Sequence, residues 1–257
     1  MELSPDPWIR ALRNSRDLLQ AHIQPMDAAA VERPSYASEW SIAQVMSHLG
    51  SGAEIFGLFL EAGLRGEDPP GQDAFGPIWQ RWNQRSPQAQ AADGLDADEK
   101  LLTSIESLDP AQRASLRLNL FGMDVGLTGL VGMRLNEHAV HTWDVIVPGD
   151  PAATLAPEAT ALMIDSLAQI ATWGGKPQGT PLAVTVVTTD PDRTLALRSG
   201  DTVSVQPGRA AESGPELRLP AEALIRLIYG RLDPAHTPPV HADGVDLDEL
   251  RATFPGL

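Results

Sequence analysis

The sequence predicts an α+β chain, with a bundle of four long helices over residues 1–150 and a smaller α+β domain over residues 151–257. Three observations lead there. Apolar residues recur at helical spacing through most of the first part. The run Pro148-Gly149-Asp150 then breaks the pattern. Beyond it, β-branched stretches separated by turn residues take over.

Ile9, Leu12, Leu18, Leu19 and Ile23 place a helix from about Pro7 to Ile23, followed by a loop with Pro25, Pro34 and Ser35. Ser41 and Gln44 have the spacing of a capping box, in which each side chain satisfies an orphan amide of the other residue, so a second helix starts there. Its apolar face runs through Ile42, Val45, Met46, Leu49, Ala53, Phe56, Phe59 and Leu60 to about Gly63. The Gly- and Pro-rich stretch from Arg65 to Ser86 holds Trp79 and Trp82 and reads as a long connection with a short helix near 78–83. A third helix is expected from Asp96 to Leu108, stopped before Pro110. The fourth starts near Asp124 and carries Leu127, Leu130, Val131, Leu135, Val140 and Val145.

After Asp150, the segment from Ala156 to Trp173 reads as one helix closed by Gly174-Gly175. Residues Leu182 to Thr188 form a β-branched run that ends at the turn signal Asp190-Pro191-Asp192. Short strands are expected at Leu195–Arg198, Val203–Gln206 and Leu217–Leu219, mostly antiparallel, with helices at Ala221–Gly230 and Leu247–Phe254.

Composition narrows the function. The formal net charge is −15 over 257 residues, a surface that phosphate backbones and anionic membranes repel, so nucleic-acid binding is not expected. There are no cysteines, which removes disulfides, thiolate ligands and a cysteine nucleophile; any thiol used here must arrive as a separate molecule. The amino terminus, Met1 to Asp6, lacks the basic and apolar regions of a secretory leader, and no apolar run approaches the roughly 20 residues that span a bilayer. The expected address is the cytoplasm, as a monomer or homodimer. No Gly-rich phosphate loop and no Gly-x-Ser-x-Gly elbow occurs, which argues against nucleotide-dependent and serine-hydrolase chemistry.

The chemistry-bearing residues are in the second and fourth helices. Glu137 and His141 lie four residues apart, a spacing that stacks two side chains on one helix face. His48 sits midway along the second helix among Val45, Met46 and Leu49. Together they can give three ligands to one divalent ion; two imidazoles and a carboxylate suit zinc and leave a fourth position open. Spacing alone leaves other readings open: a solvated Glu/His pair, and a satisfied core histidine. Arg134 and Asp144 lie three residues from Glu137 and His141 respectively, as supports for a ligand or as an ordinary ion pair. Trp40, Trp79, Trp82 and Trp143 line a pocket or fill the core, and His138 has no assigned role.

The run from Trp40 to Leu49, with its tryptophan, helix start and His-Leu pair, resembles an element of the mycothiol-dependent maleylpyruvate isomerase family. The run from Arg134 to Asp144 is similar to that family's second element, with Arg, Glu, His, Trp and Asp in register. The resemblance implies a DinB-like four-helix metal domain followed by a smaller α+β domain. It implies His48, Glu137 and His141 as metal ligands. Leu227-Ile228-Tyr229-Gly230-Arg231 is similar to a further short element, and the resemblance implies that Arg231 contacts an anionic substrate or thiol cofactor. The competing reading makes Arg231 a cation at a helix end that satisfies the last carbonyls.

The implied activity is addition of a metal-held mycothiol thiolate to an electrophilic small molecule, with cis–trans isomerisation by rotation and elimination. The nearest alternative is a mycothiol S-transferase that stops at a stable conjugate. Two readings from other classes are a metal-dependent hydrolase and a non-catalytic metal or ligand binder.

Overall fold

Residues 4–37, 39–120 and 122–256 are described in a computed structural model, and Met1-Glu2-Leu3 of the segment read for a leader lie outside them. Helix α1 (Asp6–Ile23) buries Ile9, Leu12, Leu19 and Ile23, whereas Leu18, expected on the same face, stands 37% exposed. A single turn, α2 (Ala28–Val31), follows, capped by the Asp27 carboxylate, which accepts the Ala30 N–H at 2.8 Å. In α3 (Ile42–Arg65) the Ser41 N–H donates to the Gln44 side chain at 2.8 Å, and the Ser41 hydroxyl accepts the Gln44 N–H at 3.2 Å. Both halves of the capping box are therefore made, and Gly66, in the left-handed region at φ 65°, ends the helix.

The long connection is more ordered than its composition suggests. A 3₁₀ turn (Gln72–Ala74) leads into α4 (Phe75–Asn83), whose Trp82 is buried. Helix α5 (Pro87–Glu106) begins well before the expected Asp96, because Ser86 caps it through the Ala89 N–H at 3.3 Å with Pro87 in the first turn. Small Ala91 and Gly94 on its inner side weaken the apolar signal there. After the predicted stop comes α6 (Pro110–Ser115), with its own capping box between Asp109 and Gln112. A hairpin of β1 (Leu118–Leu120) and β2 (Met123–Val125) then takes up Asp124, which pairs with Asn119, so α7 (Leu127–Ile146) starts after Gly126 and not at Asp124.

Helix α3 packs against α5 and α7, and α1 packs against the same two, so the order around the bundle is α1, α5, α3, α7. The α3–α5 approach depends on glycine. A Cβ on Gly94 would lie 2.8 Å from the Met46 carbonyl oxygen, a backbone atom that cannot step aside. Of the two neighbours of α3, it is α7 that meets the His48 turn.

The chain divides into two compact units, Met1–Ala153 and Thr154–Leu257. In the second, the helix expected from Ala156 to Trp173 is split into α8 (Pro157–Met163) and α9 (Leu167–Gly174) by a 3₁₀ turn at Ile164–Ser166. The Ser166 hydroxyl donates back to the Met163 carbonyl at 2.9 Å, a local bond that competes with continuing the helix. Five strands follow the order β5-β4-β3-β6-β7: β3 (Leu182–Thr189), β4 (Arg193–Ser199), β5 (Val203–Pro207), β6 (Glu216–Pro220) and β7 (His241–Asp243). Only β3 and β6 run parallel; the edge strand β7 was not expected from sequence. Helix α10 (Ala221–Ile228) packs on β6 and β3, and α11 (Leu247–Thr253) closes the fold. The class is α+β, a helical bundle followed by a smaller sheet-containing unit, as the sequence predicts. Among the described residues no helix is long and apolar enough to cross a membrane.

Candidate metal centre

Helix α3 presents His48 at the margin of its buried face, between Ser47 and Leu49, and α7 presents Glu137 and His141 one turn apart on the side that meets it. The three side chains converge. His48 Nε2 lies 3.1 Å from Glu137 Oε2, and His141 Nε2 lies 3.8 Å from the same oxygen. One ligand atom from each residue falls within 4.8 Å of the others. In a tetrahedral site with arms of about 2.0–2.1 Å, neighbouring ligand atoms stand roughly 3.3–3.4 Å apart. The two shorter separations bracket that spacing, so these donors can close on one ion with small side-chain movements.

The tautomer of His141 also suits a cation. Asp144, fully buried, places its carboxylate 2.9 Å from His141 Nδ1. An ionised carboxylate only accepts, so His141 carries its proton on Nδ1 and turns the Nε2 lone pair toward Glu137 and His48. Burial pushes the His141 imidazole below its ordinary range, against the raising effect of Asp144 and with the help of nearby His48, which favours the neutral ring that a metal needs. Burial also pushes the Glu137 carboxyl up, but the His48 hydrogen bond and the charges of His141, His48 and Arg134 outweigh it and hold the carboxyl at about 2. Glu137 is therefore an ionised donor at neutral pH.

Trp40 flanks this cluster. Its ring centroid lies 5.3 Å from that of His48 and 6.2 Å from that of His141, and the indole is 38% exposed. The other tryptophans do different work. Trp143 is buried and donates through Nε1 to the Ala153 carbonyl at 2.8 Å. Trp82 donates to Glu54 at 2.9 Å and carries the Arg85 guanidinium 3.6 Å above its ring. Trp79 packs edge-on against Phe75 and is half exposed.

Arg134 does not reach a ligand, nor does it form the ordinary intrahelical pair. It is buried and donates to the Leu49 carbonyl at 2.8 Å and to the Asp98 carboxylate on α5. His138 turns away from the cluster: its Nε2 meets Asp98 at 3.2 Å, and its Nδ1 lies 2.9 Å from the Ser15 hydroxyl of α1 and 3.2 Å from that of Thr142. Sequence reasoning missed Asp98 and Ser15. A signal for Asp98 was present, because Leu95, Asp98, Leu102 and Ile105 follow one apolar stripe in which a carboxylate has no business without a partner.

In the second unit, Arg231 follows α10 through a Schellman closure. The Gly230 N–H donates to the Leu227 carbonyl at 2.9 Å and the Arg231 N–H to the Arg226 carbonyl at 2.6 Å, with Gly230 at φ 73°. The Arg231 guanidinium donates to the carbonyl of Tyr229 at 2.5 Å. That contact is the one the helix-end reading predicts.

Comparison with known proteins bears on both units. The family model of the Mycothiol maleylpyruvate isomerase N-terminal domain matches residues 12–146, and that of the MDMPI C-terminal domain matches residues 154–252. Among solved structures, the crystal structure of the mycothiol-dependent maleylpyruvate isomerase is similar at a TM-score of 0.66 and 14% identity, over 89% of this chain and 90% of that one. A histidine-to-alanine mutant of that enzyme is similar at a TM-score of 0.67 and 14% identity, with the same coverage, 89% and 90%. At such identity the likeness concerns the fold. No curated protein matches the chain. With family models matching the helical bundle and the sheet unit in turn, the chain belongs to the mycothiol maleylpyruvate isomerase family.

Proposed function

We propose that His48, Glu137 and His141 hold one divalent ion, zinc by donor type, and that the chain is a mycothiol-dependent isomerase acting on a small electrophilic carboxylate. The observation that carries this reading is the convergence of three donors from two helices, with ligand atoms within 4.8 Å of one another, in a member of this family. The bound ion would hold the thiol as its reactive thiolate and act as a Lewis acid, so that mycothiol supplies the nucleophile that a chain without cysteine lacks.

The chain's own residues do the rest. Glu137 contributes the single negative charge among the three donors, which leaves a dication with charge to spare for an anionic ligand. Asp144 keeps His141 in the one tautomer whose lone pair faces the site. Trp40 covers the side of the two imidazoles with an apolar ring and limits the water that reaches them. Arg231 is assigned to the substrate carboxylate, for which a planar guanidinium fork is suited. The proposed address is the cytoplasm, where low-molecular-weight thiols stay reduced.

The test is incubation of zinc-loaded protein with mycothiol and maleylpyruvate. The expected outcome is the trans isomer with catalytic return of free thiol. A stable thiol conjugate would instead make the chain an S-transferase, and turnover without any thiol would make it a hydrolase. Arg231→Ala is expected to keep its metal and lose turnover; unchanged kinetics would take the substrate role away from Arg231.

A further inference from the structure

The ligands come from α3 and α7, so a shared ion requires those helices to hold one register. Neither helix sets it through the ligands alone. One contact that ties them is the Arg134 guanidinium, which donates at 2.8 Å to the carbonyl of Leu49, the residue after His48, from a position one turn before Glu137. That guanidinium is held in turn by Asp98 on α5. Asp98 also receives His138 Nε2 at 3.2 Å, and His138 Nδ1 is satisfied by Ser15 on α1 at 2.9 Å. One buried carboxylate thus joins residues from all four long helices, on the turns that carry Leu49 beside His48 and His138 beside Glu137.

The space around the guanidinium is as specific as its bonds. Gly52 leaves a gap on α3 in which a Cβ would stand 2.8 Å from Arg134 Nη1, with nothing else nearer than 3.8 Å. Any side chain at Gly52 must therefore displace the Nη1 end of the guanidinium, whose Nη2 makes the bonds to Leu49 and Asp98. Lysine at position 134 would present a point charge and not a fork able to span Asp98 and the Leu49 carbonyl together.

We infer that Asp98 is a positioning residue for the metal centre: through Arg134, and with Gly52 leaving it room, it sets the register of α3 against α7 that brings His48 to Glu137 and His141. The inference rests on the metal reading above. It goes beyond that reading because Asp98 touches none of the three proposed ligands, and its effect must pass through two helices.

The experiment compares the wild-type chain, Asp98→Asn, Gly52→Ala and the double variant. Zinc affinity is measured by competition with a chromophoric chelator, with circular dichroism and thermal melting run in parallel. Both single variants are expected to bind zinc at least about 10-fold more weakly, the scale seen when the support of a metal ligand is removed. The double variant should bind no more weakly than the worse single one, because both changes displace the same guanidinium. If Asp98→Asn fails to fold, Gly52→Ala decides, since it leaves every charge in place. A lowered melting temperature with wild-type zinc affinity in the folded variants would reduce the cluster to a structural one and overturn the inference. A wild-type chain that binds no zinc would instead remove the metal reading, and the inference with it.

Discussion

Asp144 and His141 sit three residues apart on α7, and the buried Asp144 carboxylate meets His141 Nδ1 at 2.9 Å. This pair decides which nitrogen of His141 is available to an ion. Loss of such a carboxylate typically lowers metal affinity 10–100-fold. Asp144→Ala is expected to weaken zinc binding within that range while the fold persists, and chelator competition at pH 7 measures it. Asp144→Asn should fall between the two, because its amide oxygen can still accept the Nδ1 proton. Equal affinity in all three proteins would mean that His141 does not coordinate through Nε2.

The ligand set itself makes a stronger prediction. His48→Ala and His141→Ala each leave two donors, a poor chelate, and each is expected to lose stoichiometric metal. Elemental analysis of protein purified without an affinity tag checks this. Normal metal content in both variants is incompatible with the proposed centre.

Ser41 tests how the sequence builds the platform under His48. Its hydroxyl and the Gln44 side chain satisfy two amides at the start of α3. Ser41→Ala removes one of these bonds and is expected to destabilise the protein by about 1 kcal/mol. Urea denaturation should show a lower midpoint with an unchanged slope. Zinc affinity of the folded protein should change little, because the cap lies two turns before His48 and does not touch the α3–α7 contact.

That local device was legible because its signal is local. Ser41 and Gln44 declare themselves by spacing, as do Glu137 and His141 on one helix face. Donor type allows His48 to join that pair, and resemblance to a family motif favours it over the other readings; no spacing rule connects positions 48 and 137. The partners of Asp98 and Ser15 are hidden for the same reason: their roles exist only once α1, α5 and α7 share a core, and a carboxylate on an apolar stripe signals burial without showing what it meets. The early start of α5 was hidden differently. Ser86-Pro87 is a good helix start, but Ala91 and Gly94 pack closely without adding to an apolar period. The hairpin before α7 was missed because its strands are three residues each, too short for alternation to register.

Asp98 carries the last prediction, through pH. Burial pushes its carboxyl up, but the charge of Arg134, then that of His138, and the hydrogen bonds from both outweigh it, so the group sits below the ordinary aspartate range. A depressed carboxyl stabilises the fold fully above its unfolded pKa, about 3.9, and that contribution fades as pH falls toward the folded value. Asp98→Asn has no such group, and it leaves the buried Arg134 charge without its partner, a change that costs about 3–5 kcal/mol at neutral pH. Other carboxylates titrate in both proteins and largely cancel in the comparison. The stability gap between wild type and Asp98→Asn is therefore expected to narrow as pH falls below about 4. Urea midpoints taken for both proteins at matched ionic strength give that gap directly. A gap that holds steady or widens in acid would show that Arg134 and His138 do not keep this carboxylate ionised, and the ionic tie between α5 and α7 would then be a neutral hydrogen bond.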